Sequence, residues 1–205
     1  MNKNKVILIG GIPGVGKTSI SGFIAKEMGI DLVMSGDYLR EFIRPFSKNM
    51  NMDIMEKSVY DAWQMFGSKN EENILKGFME QGKIMNTGTS RILKRALQNG
   101  EPIIIETLYF LPSQMDNEIL KKITLFYIHI SDRKVNAERL LERKQYTHFH
   151  SPGERLAEKL DEYRIMMDRS IKECNDYGIR TFDNLNYVET RNLILEYVMN
   201  QKEEV

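Results

Sequence analysis

The sequence predicts an α/β fold of three layers, in which a five-stranded parallel sheet lies between helices on both faces. Short apolar runs alternate with helical patterns along all 205 residues, and this alternation is typical of a covered parallel sheet. The run at 102–106, PIIIE, is apolar without alternation, as in a strand that is buried on both faces. No repeat or linker divides the chain, so we expect a single domain over residues 1–205.

The predicted elements follow from these runs in chain order. Apolar runs predict five strands, at 6–9, 31–34, 102–106, 123–130 and 179–182. Apolar residues at helical spacing predict helices at 17–28, 38–43, 50–66, 71–98, 132–143, 154–177 and 188–199, with 112–122 as a short helix or loop. Three glycines, Gly77, Gly82 and Gly88, weaken the pattern of 71–98 as one unbroken helix.

Composition argues against several classes of partner. Lysine and arginine total 29, as do aspartate and glutamate, so the formal charge is zero and no basic field attracts long nucleic acids. No apolar run approaches the roughly 20 residues that cross a bilayer, and the first apolar run is too short for a signal peptide. Cys174 is the only cysteine, which fits an intracellular setting. We expect a cytoplasmic protein without a membrane partner, and a homo-oligomer stays open.

A glycine-rich turn between the first strand and the first helix carries the strongest motif. From Gly11 the spacing is G-x-x-x-x-G-K-T, the signature of a phosphate-binding loop. Glycines keep the turn free of side chains, so backbone N–H groups can converge on a phosphate at the positive end of the following helix. The motif predicts a P-loop NTPase fold that binds ATP with Mg²⁺. The predicted ATP-binding residues of the loop are Gly11, Pro13, Gly14, Val15, Gly16, Lys17, Thr18 and Ser19.

Two side chains of this loop and one from a later strand have predicted chemical roles. Lys17 supplies a catalytic cation to the β- and γ-phosphates, and the Thr18 hydroxyl is a predicted Mg²⁺ ligand. Glu106 ends a buried strand, and ligands of such sheets bind beyond the carboxyl ends of the strands. We predict Glu106 as a catalytic carboxylate, which holds a metal-bound water or orients the nucleophile, and as the second metal ligand. The alternative is a surface or helix-capping acid.

The end of the second predicted strand marks an acceptor site. Asp37 is predicted to bind the acceptor and to orient its hydroxyl or accept the hydroxyl proton, although it can also serve as a helix N-cap. Arg40, Arg44 and Arg91 are candidates to grip anionic groups of the acceptor, because an arginine fork fits a carboxylate or phosphate. Their alternative role is that of solvated surface arginines.

Two further arginines are spaced by four residues on the helix predicted at 132–143. Arg139 and Arg143 project to one side of this helix and are predicted as catalytic and ATP-binding residues. One guanidinium can stack on adenine while the other neutralises charge on the transferred phosphate. The alternative is ion pairing with Glu138 or Glu142. The polar and aromatic segment 144–153 that follows is predicted to be a lid, which excludes water when it closes.

Together these residues resemble the family of archaeal 2-phosphoglycerate kinases. The more specific stretches are 58–63 (SVYDAW), 74–78 (ILKGF) with Gln81, the region around IIIETLYFLP, and 177–184. The resemblance implies a nucleoside monophosphate kinase-like fold, with an acceptor-binding region at 36–98 and a lid. It also implies γ-phosphoryl transfer from ATP to 2-phosphoglycerate, a phosphorylated hydroxy acid, giving 2,3-bisphosphoglycerate. Asn184 then belongs to the ATP site, and Tyr109 to the acceptor site.

The sequence departs from that family in two places. The family's strand end typically reads Glu-Gly-Val-His, whereas this chain has Glu106-Thr107-Leu108-Tyr109, a change on the acceptor side that puts the substrate in doubt. The N-terminal regulatory extension of longer members is absent from this sequence, so we expect no allosteric control by that route. The alternatives are a nucleoside, nucleotide or other small-metabolite kinase and, from another class, a nucleotide-binding adaptor with slow ATPase activity.

Overall fold

A five-stranded parallel sheet forms the centre of the computed structural model, which describes residues 5–50, 52–142 and 153–201. The strands are β1 (Val6–Gly10), β2 (Val33–Ser35), β3 (Ile103–Thr107), β4 (Thr124–His129) and β5 (Thr181–Asp183). Their order across the sheet is β2-β3-β1-β4-β5, and every neighbouring pair is parallel. The predicted fold class is therefore confirmed.

Eight α-helices connect and cover these strands in the described parts of the chain. They are α1 (Lys17–Met28), α2 (Gly36–Ile43), α3 (Glu71–Asn99), α4 (Asn117–Leu120), α5 (Arg133–Glu142), α6 (Gly153–Ala157), α7 (Leu160–Asp176) and α8 (Tyr187–Asn200). Helices α1 and α8 contact each other and the sheet, and so do α3 and α7, which gives two helical layers. Short 3₁₀ turns lie at Arg44–Phe46, Lys48–Met50, Asp53–Glu56, Val59–Met65 and Pro112–Gln114.

The two central strands form the driest part of the core. Every residue of β1 and β3 is buried, including Glu106 and Thr107 near the carboxyl end of β3. Fully burying an isoleucine or leucine side chain contributes roughly 1.5–3 kcal/mol, so these strands fix the edge of the sheet at which the glycine-rich turn begins. No helix in the described ranges has the length and apolarity needed to cross a bilayer.

The prediction of a helix at 50–66 is wrong. Two 3₁₀ turns replace it, with an extended break at Lys57 and Ser58. Hydrogen bonds from outside the segment explain the break, because Gln81 and Arg40 both donate to the Lys57 carbonyl and so occupy an acceptor that a continuous helix would use.

Two other helix predictions also changed in the structure. The pattern at 154–177 is divided between α6 and α7, with Glu158 and Lys159 in the break. Conversely, α3 runs unbroken for 29 residues. Its Gly77 and Gly82 serve close packing, since an added Cβ would lie 2.8 Å from Ala62 and 2.7 Å from Leu111 respectively.

Candidate active site

The glycine-rich loop after β1 has the backbone shape that an anion cradle requires. Gly11, Gly14 and Gly16 all have positive φ, at 156°, 82° and 93°. Gly16 is the N-cap of α1 and no side chain caps the helix there, so the first amides of α1 are directed toward the turn. An added Cβ would lie 2.8 Å from Leu140 at Gly14 and 2.7 Å from Asn184 at Gly16. Glycine is thus required both by conformation and by space.

Two buried asparagines hold the backbone of this loop in place. The Asn184 side chain donates a 2.8 Å hydrogen bond from Nδ2 to the carbonyl of Val15, and Asn136 donates a longer one of 3.5 Å to the carbonyl of Pro13. Both side chains are fully buried. The loop backbone is therefore fixed at two of its carbonyls by side chains from outside the loop.

The loop's polar side chains meet the end of β3. Thr18 Oγ1 donates to Glu106 Oε1 across 2.9 Å, and Ser21 Oγ lies 3.4 Å from Glu106 Oε2. Lys17 Nζ donates to the Ile12 carbonyl at 3.0 Å. The Glu106 residue is only 6% exposed, and these hydrogen bonds hold its carboxylate beside the loop. An ammonium, a hydroxyl and a carboxylate therefore share the mouth of the loop.

A cavity of about 940 Å³ opens from this mouth. Many of the predicted site residues line it: Pro13, Gly14, Gly16, Lys17, Thr18, Ser19, Asp37, Arg40, Glu106, Tyr109, Arg139 and Asn184. Its volume lies within the upper range of small-molecule sites. The predicted gathering of the loop, Asp37 and Glu106 at one edge of the sheet is thus observed.

Four of the predicted site residues do not line the cavity. Gly11 and Val15 are themselves part of the glycine-rich loop, and both are buried. Arg44 pairs with Glu41 at 2.9 Å and lines a small neighbouring groove, and Arg91 is exposed on α3 away from the cavity. For Arg44 and Arg91 the sequence suggested an anion-binding role, but the chain path does not bring either to the cavity wall. Arg143 and all of the predicted lid except Gly153 lie outside the described residues.

Asp37 is not the N-cap of its helix. Ser35 is the N-cap of α2, and its hydroxyl accepts a hydrogen bond of 3.3 Å from the backbone N–H of Asp37. The Asp37 residue is exposed, lies in the first turn of α2 and lines the cavity. The helix-capping alternative for Asp37 is therefore wrong, and its carboxylate is left available to a ligand.

Arg139 is anchored by backbone carbonyls. Its Nη1 donates to the carbonyl of Asn184 at 2.6 Å and its Nη2 to that of Leu185 at 2.9 Å. Burial lowers the pKa of this arginine from its ordinary value, and the charges of Asp183 and Glu142 oppose that shift. The guanidinium thus has a fixed place beside the loop.

Several cavity residues were missed by the sequence reasoning. Arg155 and Leu156 reach the cavity from α6, and Tyr60 and Tyr163 form an edge-to-face aromatic pair with centroids 5.8 Å apart in its wall. Val59, Leu108 and Tyr187 also line it. Val59 and Tyr60 belong to the 58–63 stretch that carried the family resemblance, which was the available signal for them. No local pattern separates Arg155, Tyr163 and Tyr187 from the other arginines and tyrosines of the chain.

This fold and this site define a class of protein: an ATP-dependent small-molecule kinase built on a phosphate-binding loop. Comparisons with known proteins agree with that class. A family model described as "AAA domain" matches residues 7–161. The mevalonate-3-phosphate 5-kinase of Thermoplasma acidophilum is 45% identical over 193 residues, covering 94% of this chain and 95% of that enzyme. The chain belongs to the AAA domain family, within the group of phosphate-loop kinases that includes mevalonate-3-phosphate 5-kinase.

Similarity to 2-phosphoglycerate kinases is weaker. The enzyme of Pyrococcus horikoshii is 28% identical over 202 residues, which cover 98% of this chain but 66% of that protein. The predicted resemblance to 2-phosphoglycerate kinases is therefore confirmed at the level of the kinase group. The sequence identity to mevalonate-3-phosphate 5-kinase is higher, at 45% against 28%. Among solved structures, a shikimate kinase from Acinetobacter baumannii in complex with shikimate has a TM-score of 0.56 at 12% identity, covering 98% of this chain and 96% of that one. This last likeness supports the fold alone.

Proposed function

We propose that this protein transfers the γ-phosphate of ATP to the 5-hydroxyl of mevalonate 3-phosphate, which gives the 3,5-bisphosphate. The observation that carries the proposal is the 45% identity with mevalonate-3-phosphate 5-kinase over nearly the full length of both chains. The reaction is one that an ATP-dependent small-molecule kinase, the class defined by the fold and the site, would catalyse. Mevalonate 3-phosphate is, like 2-phosphoglycerate, a phosphorylated hydroxy acid.

The wall of the cavity supports the larger of these two acceptors. Val59, Tyr60, Leu108, Leu156 and Tyr163 contribute apolar or aromatic surface to the lining of the cavity. Mevalonate 3-phosphate has a six-carbon skeleton with a methyl branch, whereas 2-phosphoglycerate has three carbons, each bonded to oxygen. An apolar wall stabilises the former more, by about 0.8 kcal/mol for each buried CH₂ group.

In this reaction the loop and its neighbours hold the triphosphate. The loop amides and Lys17 bind the β- and γ-phosphates, and Arg139 lies where it can contact the nucleotide base or a phosphate. Asp37 orients the acceptor hydroxyl toward the γ-phosphate, and Arg40 and Arg155 supply cations for the acceptor's phosphate and carboxylate. Positioning and charge neutralisation of this kind provide most of the catalysis in phosphoryl transfer.

The residues beside the loop also fit a magnesium ion. Mg²⁺ prefers oxygen ligands, and the Thr18 hydroxyl and the Glu106 carboxylate already lie 2.9 Å apart at the mouth of the loop. We propose that these two residues hold the ion, directly or through water. A bound Mg²⁺ neutralises the charge that develops on the phosphate oxygens.

An acceptor panel tests the function. ADP release by the purified protein is measured with ATP and each of mevalonate 3-phosphate, mevalonate, 2-phosphoglycerate and AMP. We expect mevalonate 3-phosphate to give the highest kcat/KM, by at least about 10-fold, and the product to carry two phosphates by mass spectrometry and ³¹P NMR. A higher kcat/KM for 2-phosphoglycerate would assign the protein to that second reaction instead. ADP release that no acceptor accelerates would contradict both.

A further inference from the structure

Gln81 uses its whole amide to join three parts of the acceptor side. It lies on α3 and is fully buried. Its Nε2 donates to the carbonyls of Ile54 at 2.6 Å and Lys57 at 2.9 Å, while its Oε1 accepts a 2.7 Å hydrogen bond from the hydroxyl of Tyr109. Two carbonyls on one side and a hydroxyl on the other fix the orientation of the amide, because only the nitrogen can donate to carbonyls.

Arg40 joins the same network from α2. Its Nη2 donates to the carbonyls of Met55, at 3.0 Å, and Lys57, so Lys57 accepts from both Arg40 and Gln81. The Arg40 side chain is 13% exposed and lines the cavity, and its Nε is buried without a hydrogen-bond partner. Its Nη1 also donates to Glu41 Oε1 at 3.0 Å. The guanidinium is therefore held at the cavity wall by two backbone carbonyls and by Glu41, and its small exposed part is what an anionic ligand can reach.

Tyr109 links this network to the strand that carries Glu106. It follows β3 by two residues, and its ring stacks on Phe78 of α3 with centroids 6.0 Å apart. Burial raises the pKa of Tyr109 well above its ordinary value, so the phenol keeps the proton that it donates to Gln81. The same three hydrogen bonds thus tie the β3 end, α3 and the 54–57 segment together.

The segment held in this way leads directly into the cavity wall. Ser58, Val59 and Tyr60 follow Lys57 immediately and all line the cavity. If the carbonyls of residues 54–57 were released, both this wall and the guanidinium of Arg40 would lose their fixed positions. The glycine-rich loop has its own supports, Asn136 and Asn184, which lie on other elements.

We propose that Gln81 is a positioning residue for the acceptor: it sets the direction of Arg40 and the place of the wall at 58–60, and it has no part in holding ATP. The acceptor's chemical identity rests on the proposed function, whereas the role of Gln81 does not. The class of ligand concerned is an anionic acceptor whose phosphate or carboxylate pairs with Arg40.

Steady-state kinetics of two Gln81 variants test this inference. Gln81→Met removes both donors without adding charge, and Gln81→Glu keeps the acceptor for Tyr109 but sets a carboxylate against two carbonyls. We expect the acceptor KM to rise by about 10-fold or more in each, with the ATP KM within about 2-fold of the original. Gln98→Glu is the matched control, because Gln98 is exposed on the same helix.

Tyr109→Phe provides an independent variant in case the Gln81 variants fold poorly. It removes only the hydroxyl, and we expect a smaller rise in acceptor KM, again without a change in the ATP KM. Both KM values are measured with the acceptor that the unaltered protein prefers. A preference for another acceptor would contradict the proposed function alone. An unchanged acceptor KM in Gln81→Met and Tyr109→Phe, or an equal rise in both KM values, would overturn the positioning role.

Discussion

Thr18 and Glu106 are 88 residues apart in the chain, yet the threonine hydroxyl donates a 2.9 Å hydrogen bond to the carboxylate. The contact exists because β1 and β3 are neighbours in register, with Ile9 opposite Glu106. The strand pairing delivers an acid to the first turn of α1. This relationship joins the phosphate loop to β3, which among the described strands is the one that supplies a buried carboxylate near its end.

Replacing this carboxylate by its amide tests its proposed metal role. Glu106→Gln keeps the shape of the side chain and still accepts from Thr18, but it removes the negative charge that holds Mg²⁺. We expect kcat to fall by about 100-fold and the Mg²⁺ concentration for half-maximal activity to rise, with little change in ATP binding measured by calorimetry. Glu101→Gln, an exposed acid that precedes β3, is the control. Full activity in Glu106→Gln would contradict the assignment.

A second prediction concerns the space at Gly16. Gly16→Ala adds a methyl group at φ 93° and 2.7 Å from Asn184 Nδ2, so either the loop or the asparagine must move. We expect the variant to lose about 1–2 kcal/mol of unfolding free energy and its ATP KM to rise by about 10-fold or more.

Gly22→Ala is the matched control for that variant. Gly22 lies within α1, and an added Cβ there meets no atom within 4 Å. Alanine in a helix interior stabilises by roughly 0.5–1 kcal/mol relative to glycine, so this variant should unfold at higher urea concentration with unchanged kinetics. Equal losses in Gly16→Ala and Gly22→Ala would show that loop shape is not the cause.

The sequence predicted the parts of the molecule that depend on neighbours along the chain. The strand, loop and helix at 6–28 carry a motif in which each residue type serves a local purpose, and the structure reproduces their bounds closely. The acid at the end of β3 was also predictable, because parallel strands end at a common edge. Local pattern therefore predicted the side of the cavity that the glycine-rich loop and Glu106 form.

The acceptor half depends on contacts that no local pattern contains. The carbonyl of Lys57 interrupts a helical pattern because Gln81 and Arg40 reach it from 24 and 17 residues away. In the same way, Arg91 and Arg155 look alike in sequence, but only Arg155 reaches the cavity. Tertiary packing decides such cases, so the sequence alone could not choose among the arginines.

This contrast between two arginines gives a third prediction. Arg155 lines the cavity from α6, whereas Arg91 is exposed on α3 outside it. We expect Arg155→Gln to lower kcat/KM for the acceptor by about 10- to 100-fold, because a cation that pairs with the acceptor's phosphate or carboxylate is lost. Arg91→Gln should leave both kinetic constants unchanged. Thermal unfolding should be similar in the two variants, since both side chains are exposed. Loss of activity in Arg91→Gln alone would restore the role that the sequence suggested for it.

A last prediction concerns acid stability and His129 at the end of β4. Burial lowers the pKa of His129 below its ordinary value near 6.5, the nearby Asp183 opposes this shift, and Arg164 adds to it. The unfolded chain therefore binds this proton at a higher pH than the folded chain does. It follows that the stability contributed by neutral His129 is fully present above about pH 6.5 and is lost as pH falls through the folded-state pKa.

Urea unfolding at pH 7.5 and pH 5.5 measures this effect. We expect the unfolding free energy of the unaltered protein to fall between the two values, and the fall to be smaller in His129→Gln, which carries no titrating group at this position. The other two histidines, His148 and His150, are present in both proteins, so their contribution cancels in the comparison. An equal or steeper fall in His129→Gln would show that burial at the end of β4 does not disfavour the imidazolium, and the acid sensitivity would then have to come from carboxylates.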